Sequence, residues 1–129
     1  MRAPLQLIAI WYFCGGLLLL VVAVASLIPM PSEVQVGDKS AHLLTYAVLS
    51  AWFSLLAAHR RVLIYSAVGL FGYGLVIEFL QGLTGYRFAE WGDVLANTLG
   101  IGLGLLIYPS GLRAWLGLVD ARLAKLLGR

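Results

Sequence analysis

Residues 5–28 read LQLIAIWYFCGGLLLLVVAVASLI, an apolar run softened only by Gln6 and Ser26 and ended by the breaker Pro29-Met30-Pro31. At a rise of about 1.5 Å per residue, a helix of this length crosses the roughly 30 Å hydrocarbon core of a bilayer. Arg2 and the small residues Ala23-Val24-Ala25-Ser26 imitate the flanks of a signal peptide, but the hydrophobic core is too long for one. A segment in lipid must satisfy its own backbone groups, as a helix or within a closed barrel. Continuous Leu, Val, Ala and Gly lacks the in-out alternation of a barrel strand. The run is therefore read as a transmembrane helix and the fold class as all-α.

Working outward, three more apolar stretches follow, at about residues 38–58, 62–82 and 91–108, so the expected architecture is a four-transmembrane-helix bundle over residues 1–110. The composition agrees: 61% of the residues are apolar, 12% are charged and mean hydropathy is +0.92, more apolar surface than a soluble domain of 129 residues could bury. The separators are the polar loop from Pro29 to Gly37, His59-Arg60-Arg61, the loop through Gly85, Arg87 and Glu90, and Pro109-Ser110-Gly111. Residues 111–129 form a basic amphipathic tail. Leu112, Trp115, Leu116, Val119, Leu123, Leu126 and Leu127 share a helical face from which Arg113, Asp120, Arg122, Lys125 and Arg129 are excluded. This predicts a helix lying in the membrane interface.

Arg2, Arg60, Arg61, Arg113, Arg122, Lys125 and Arg129 fall on one side of a four-span topology, and only Lys39 and Arg87 on the other. The positive-inside rule then places both termini of a multi-pass protein in the cytoplasm and the loops near Glu33 and Arg87 on the extracytoplasmic side. The net charge of +3 is dispersed between apolar runs, without the basic, aromatic-interleaved stripe of a nucleic-acid binder. Cys14 is the single cysteine, so no internal disulfide forms.

In this topology the unusual residues gather at one depth, at the extracytoplasmic end. Asp38, Lys39, His42 and Tyr46 open the second helix, Glu78 and Gln81 close the third, and Asp93 and Asn97 open the fourth. Helical spacing puts Asp38, His42 and Thr45 on one face, and Asp93, Asn97, Gly100 and Gly104 in one stripe. Ala96, Gly100 and Gly104 make a small-xxx-small pattern that lets backbones approach. Asp38-xxx-His42 is echoed by Asp93-xxx-Asn97, and Glu33 and Glu90 read as solvated loop charges. Ionisable groups inside spanning segments are costly and are expected to pair, face inward and serve function.

The run Asp38-Lys39-Ser40-Ala41-His42-Leu43-Leu44-Thr45-Tyr46, then Glu78-Phe79-Leu80-Gln81, then Arg87, then Asp93-Val94-Leu95-Ala96-Asn97-Thr98-Leu99-Gly100, resembles the VanZ-like family across residues 30–108. The resemblance implies a bacterial cell-envelope membrane protein, in a family whose namesake is associated with low-level resistance to the glycopeptide teicoplanin.

Three accounts of the polar cluster follow. In the first, Asp38, Lys39, His42, Tyr46, Glu78, Gln81, Arg87, Asp93 and Asn97 bind a membrane lipid headgroup or lipid-linked glycan at the outer leaflet, with Lys39 and Arg87 on phosphate. In the second, the protein is an intramembrane hydrolase or transferase in which His42 is a general base oriented by Asp38, Glu78 an acid and Arg87 a stabiliser of developing charge. In the third, Lys39 with Glu78 and Arg87 with Asp93 are ion pairs that lock helices together. No cofactor is expected. Lys39 and Arg87 argue against a divalent metal among Asp38, His42, Glu78 and Asp93.

Overall fold

The computed structural model describes residues 2–29 and 38–129, and among them every regular element is helical: α1 (Ile8–Leu27), α2 (Asp38–Leu56), α3 (Arg60–Leu83), α4 (Trp91–Leu105) and α5 (Leu112–Leu126). The all-α expectation holds. Of the expected four spans, α1 with 20 residues and α3 with 24 are long and apolar enough to cross a membrane. α2 has 19 residues but opens on Asp38, Lys39 and His42. α4 stops at 15 residues, about 22 Å, short of the expected 91–108. Beyond it the chain keeps winding in tighter i→i+3 turns, Ile107 N to Gly104 O (3.2 Å), Tyr108 N to Leu105 O (3.0 Å) and Ser110 N to Ile107 O (3.1 Å).

α2 and α4 form the most intimate pair. A Cβ built on Gly104 would stand 2.6 Å from Ala47 O and 2.6 Å from Ala51 N, and one on Gly100 would meet Leu43 O, so both positions need glycine for the approach itself. Gly102, on the other side of α4, has nothing within 4 Å. The close approach brings the Ser50 hydroxyl to Ile101 O (2.8 Å). α1 packs on α2 through Gly15 against the Phe53 and Trp52 rings, with Trp11 and Trp52 edge to face at 6.1 Å.

Burial runs opposite to that of a water-soluble protein. Phe13, Val21, Leu44, Val48, Val68, Phe79, Leu95 and Leu103 are exposed on the outside of α1 to α4, while Ser50, Ser54, Glu78, Gln81, Asp93 and Asn97 are buried between the helices.

At the end where the two termini meet, the structure corrects the expected phase of the tail. The buried face of α5 is Arg113, Leu116, Asp120 and Ala124, while Leu112, Trp115, Leu118, Leu126 and Leu127 are exposed. Arg113 and Asp120 are therefore not on an outward polar face. Asp120 accepts from Gln6 N (2.6 Å), Leu7 N (3.0 Å) and Trp11 Nε1 (2.8 Å), supplying acceptors for backbone donors at the start of α1 that no helical carbonyl can reach. Arg113 donates to Leu55 O and to Ala3 O (3.1 Å). Burial alone would raise the Asp120 pKa, but these three hydrogen bonds and the Arg113 charge hold it below the ordinary aspartate value. Burial and the neighbouring Arg2 charge lower that of Arg113. Arg2 lies over the Tyr108 ring at 3.7 Å, completing a junction of N-terminus, α2 and α5.

Candidate functional site

At the opposite end, the C-termini of α1 and α3 meet the N-termini of α2 and α4. Three pairs of residues one helical turn apart build two tiers there: His42 above Tyr46 on α2, Glu78 above Gly74 on α3, and Asp93 above Asn97 on α4. In the outer tier, one ligating atom each from His42, Glu78 and Asp93 lies within 4.8 Å of the other two. His42 Nε2 is 4.0 Å from Asp93 Oδ2. In the inner tier, a Cβ at Gly74 would stand 3.1 Å from Asn97 Nδ2 and 3.3 Å from the Tyr46 hydroxyl, so the missing side chain is the space in which those groups meet.

The tiers are joined by a 2.9 Å hydrogen bond between His42 Nδ1 and Asn97 Oδ1. With the amide oxygen accepting, Nδ1 is the donor and Nε2 is the ring nitrogen on the Asp93 side. The ends of the echoed Asp-xxx-His and Asp-xxx-Asn motifs thus touch. Glu78 Oε1 accepts from Glu90 N (2.7 Å) at the N-cap of α4, so a side chain of α3 fixes where α4 begins. Lys39 lies over Gly92 at the rim, with Nζ 2.7 Å from Glu90 Oε2 and 3.7 Å from Asp93 Oδ1. Glu90, expected to be a solvated loop charge, is exposed just ahead of α4 and also pairs there with Lys39 of α2.

Gln81 and Arg87 bind toward α1. Gln81 Nε2 donates to Ser26 O (2.8 Å), Arg87 Nη1 to the same oxygen (3.0 Å) and the Tyr86 hydroxyl to Leu27 O. The last carbonyls of a helix lack intrahelical donors, and in apolar surroundings side chains must supply them. Sequence reasoning assigned Gln81 and Arg87 to a ligand without this structural duty, and Tyr86 was missed. An aromatic hydroxyl next to Arg87, near the loop end, was the available signal.

Beside the tiers lies a cavity of about 130 Å³, whose lining includes Ala25 and Ser26 of α1, Ala41 and Thr45 of α2, and His42, Tyr46, Gln81 and Arg87. The Tyr46 residue is 2% exposed and its hydroxyl has no hydrogen-bond partner among the described residues. A larger groove of about 490 Å³ lies at the other end, but its Arg113 and Asp120 are engaged in holding the N-terminus. Asp38 opens α2, and its side chain, like the loop carrying Glu33, lies outside the described residues. Of the nine site residues expected from sequence, the other eight converge on this end: Lys39, His42, Tyr46, Glu78, Gln81, Arg87, Asp93 and Asn97.

An all-helical bundle with two helices of membrane-crossing length, apolar outside and polar at one inner end, defines the class as a small membrane protein. A sequence model of the VanZ/LLP1 family matches residues 5–115, and the chain belongs to that family. The match takes in α1 to α4 and the first residues of α5, wider on both sides than the 30–108 stretch that carries the motifs. No curated protein and no solved structure matched the chain.

Proposed function

We propose that this chain is a four-span protein of the bacterial plasma membrane whose extracytoplasmic end binds the anionic headgroup of a lipid or lipid-linked glycan. The observation that carries the reading is the cavity that Arg87 lines together with the small residues Ala25 and Ala41 and the polar His42, Tyr46 and Gln81. At about 130 Å³ it has room for a phosphate or a single sugar-sized group, well below the 300–1,000 Å³ of pockets that enclose whole small molecules. A ligand whose acyl or polyprenyl chain stays in lipid while its head enters the protein fits that size.

Exposed apolar side chains on all four helices support lipid as the surrounding solvent, with the tighter turns after Leu105 lengthening the fourth span. The distribution of Lys and Arg supports the orientation. A lipid-linked glycan as ligand would also fit an effect on teicoplanin susceptibility, the property associated with the family's namesake.

The test is lipid analysis by mass spectrometry of protein purified in mild detergent. Wild type is expected to retain a specific anionic or polyprenyl-linked species, depleted at least tenfold in folded Arg87→Ala and His42→Ala. Identical bulk membrane lipid in all three would sink the headgroup reading and leave helix pairing as the role of the cluster.

A further inference from the structure

The outer tier brings one imidazole and two buried carboxylates close enough to share an ion. Glu78 is 5% exposed and Asp93 4%, and the outer tier holds both with His42 inside a sphere of contacts no wider than 4.8 Å. We propose that His42, Glu78 and Asp93 bind a single divalent cation of the zinc or manganese class. The proposal deepens the headgroup reading only in that the cation would sit beside Arg87 as a second positive contact for a phosphate. The metal site itself does not depend on it.

The donor set is suited to such an ion: one imidazole nitrogen and two carboxylates combine borderline and hard ligands, and their two negative charges match a divalent cation. Metal–ligand distances of about 2.0–2.2 Å place ligand atoms roughly 3–4 Å from one another. The 4.0 Å between His42 Nε2 and Asp93 Oδ2 lies at the edge of that range. Two of the three ligands are also held from behind. Asn97 Oδ1 accepts a hydrogen bond from His42 Nδ1 and turns Nε2 toward the cluster, and Glu90 N donates to Oε1 of Glu78.

An independent feature points to a guest. The Tyr46 hydroxyl, enclosed one turn below His42 and beside the Asn97 amide, makes no hydrogen bond among the described residues. A polar group buried in that way is costly unless something binds it, and a water carried by the cation would do so.

Lys39 and Arg87, the cations that weigh against a metal, each make a further contact outside the triad. Lys39 makes its short contact with Glu90 at the rim and faces Oδ1 of Asp93, whereas Oδ2 is the oxygen on the His42 side. Arg87 reaches toward Ser26 of α1.

The test uses full-length protein in detergent, stripped with chelator, dialysed against zinc or manganese and assayed for metal by mass spectrometry. About one equivalent is expected in wild type, and at least tenfold less in His42→Ala and Asp93→Asn. Asn97→Ala should bind about tenfold more weakly, while His59→Ala, at the opposite end of the bundle, should bind as wild type does. To keep the test independent of how the ligand variants fold, cobalt is titrated into wild type as well. Visible absorption bands saturating near one equivalent are expected.

Wild type that gives no saturation with cobalt and retains no zinc or manganese overturns the site, as does equal retention by folded ligand variants. Metal without a specific lipid would retain this site and remove the headgroup reading; specific lipid without metal would do the reverse.

Discussion

Gly104→Leu is expected to abolish accumulation of folded protein in membranes, whereas Gly102→Leu, two residues away, should accumulate as wild type does. The difference is steric. At position 104 the first carbon of any side chain would stand 2.6 Å from Ala47 O and Ala51 N and would also strike Ser50 Cβ. These are backbone atoms of α2, which cannot turn aside as a side-chain tip would. Overpacking where side chains can adjust typically costs about 1–3 kcal/mol. Here the helices themselves must separate, which would break the Ser50–Ile101 bond and pull Asn97 away from His42. Position 102 has nothing within 4 Å. The check is the yield of monodisperse protein after membrane extraction; equal yields for the two variants would show that α2 and α4 do not approach in this way.

Asp120→Asn is expected to lower stability by about 3 kcal/mol, because it removes a buried charge that three N–H donors and Arg113 are arranged around. An amide offers one oxygen and turns an NH2 group toward donors that need an acceptor. The wild-type contribution also has a pH signature. Since the folded-state pKa of Asp120 is lowered, its stabilisation is fully present above the ordinary aspartate value of about 4 and is lost as pH falls from there through the folded value. Thermal unfolding in detergent between pH 7 and pH 3 should show wild type losing its advantage over Asp120→Asn below about pH 4. A constant gap across that range would remove the carboxylate from the account.

The fold class and the meeting of the polar residues were legible because both follow from periodicity. Apolar runs define the helices, and alternating helix direction brings the openings of α2 and α4 to the closing of α3. The small-xxx-small stripe at Ala96, Gly100 and Gly104 likewise pointed to the right contact.

The phase of α5 was not legible, for a physical reason. An amphipathic pattern separates an apolar face from a polar one, but when the surrounding solvent is lipid it does not say which face meets protein. Arg113 and Asp120 turn inward because helix ends offer backbone groups that need them. The same need directs Gln81 and Arg87 to Ser26 O, and the Lys39–Glu90 pair joins residues that sequence spacing does not relate.

The account rests most heavily on four spans with the His42 tier facing outward, and cysteine accessibility tests this most directly. In a Cys14→Ala background, Phe88→Cys marks the loop before α4 and Arg129→Cys marks the C-terminal end. With intact spheroplasts, a membrane-impermeant maleimide is expected to label the cysteine at position 88 at once, and the one at position 129 only after permeabilisation. Labelling of both from the same side, or of position 129 alone in intact spheroplasts, would contradict the topology and with it a headgroup site at the outer leaflet.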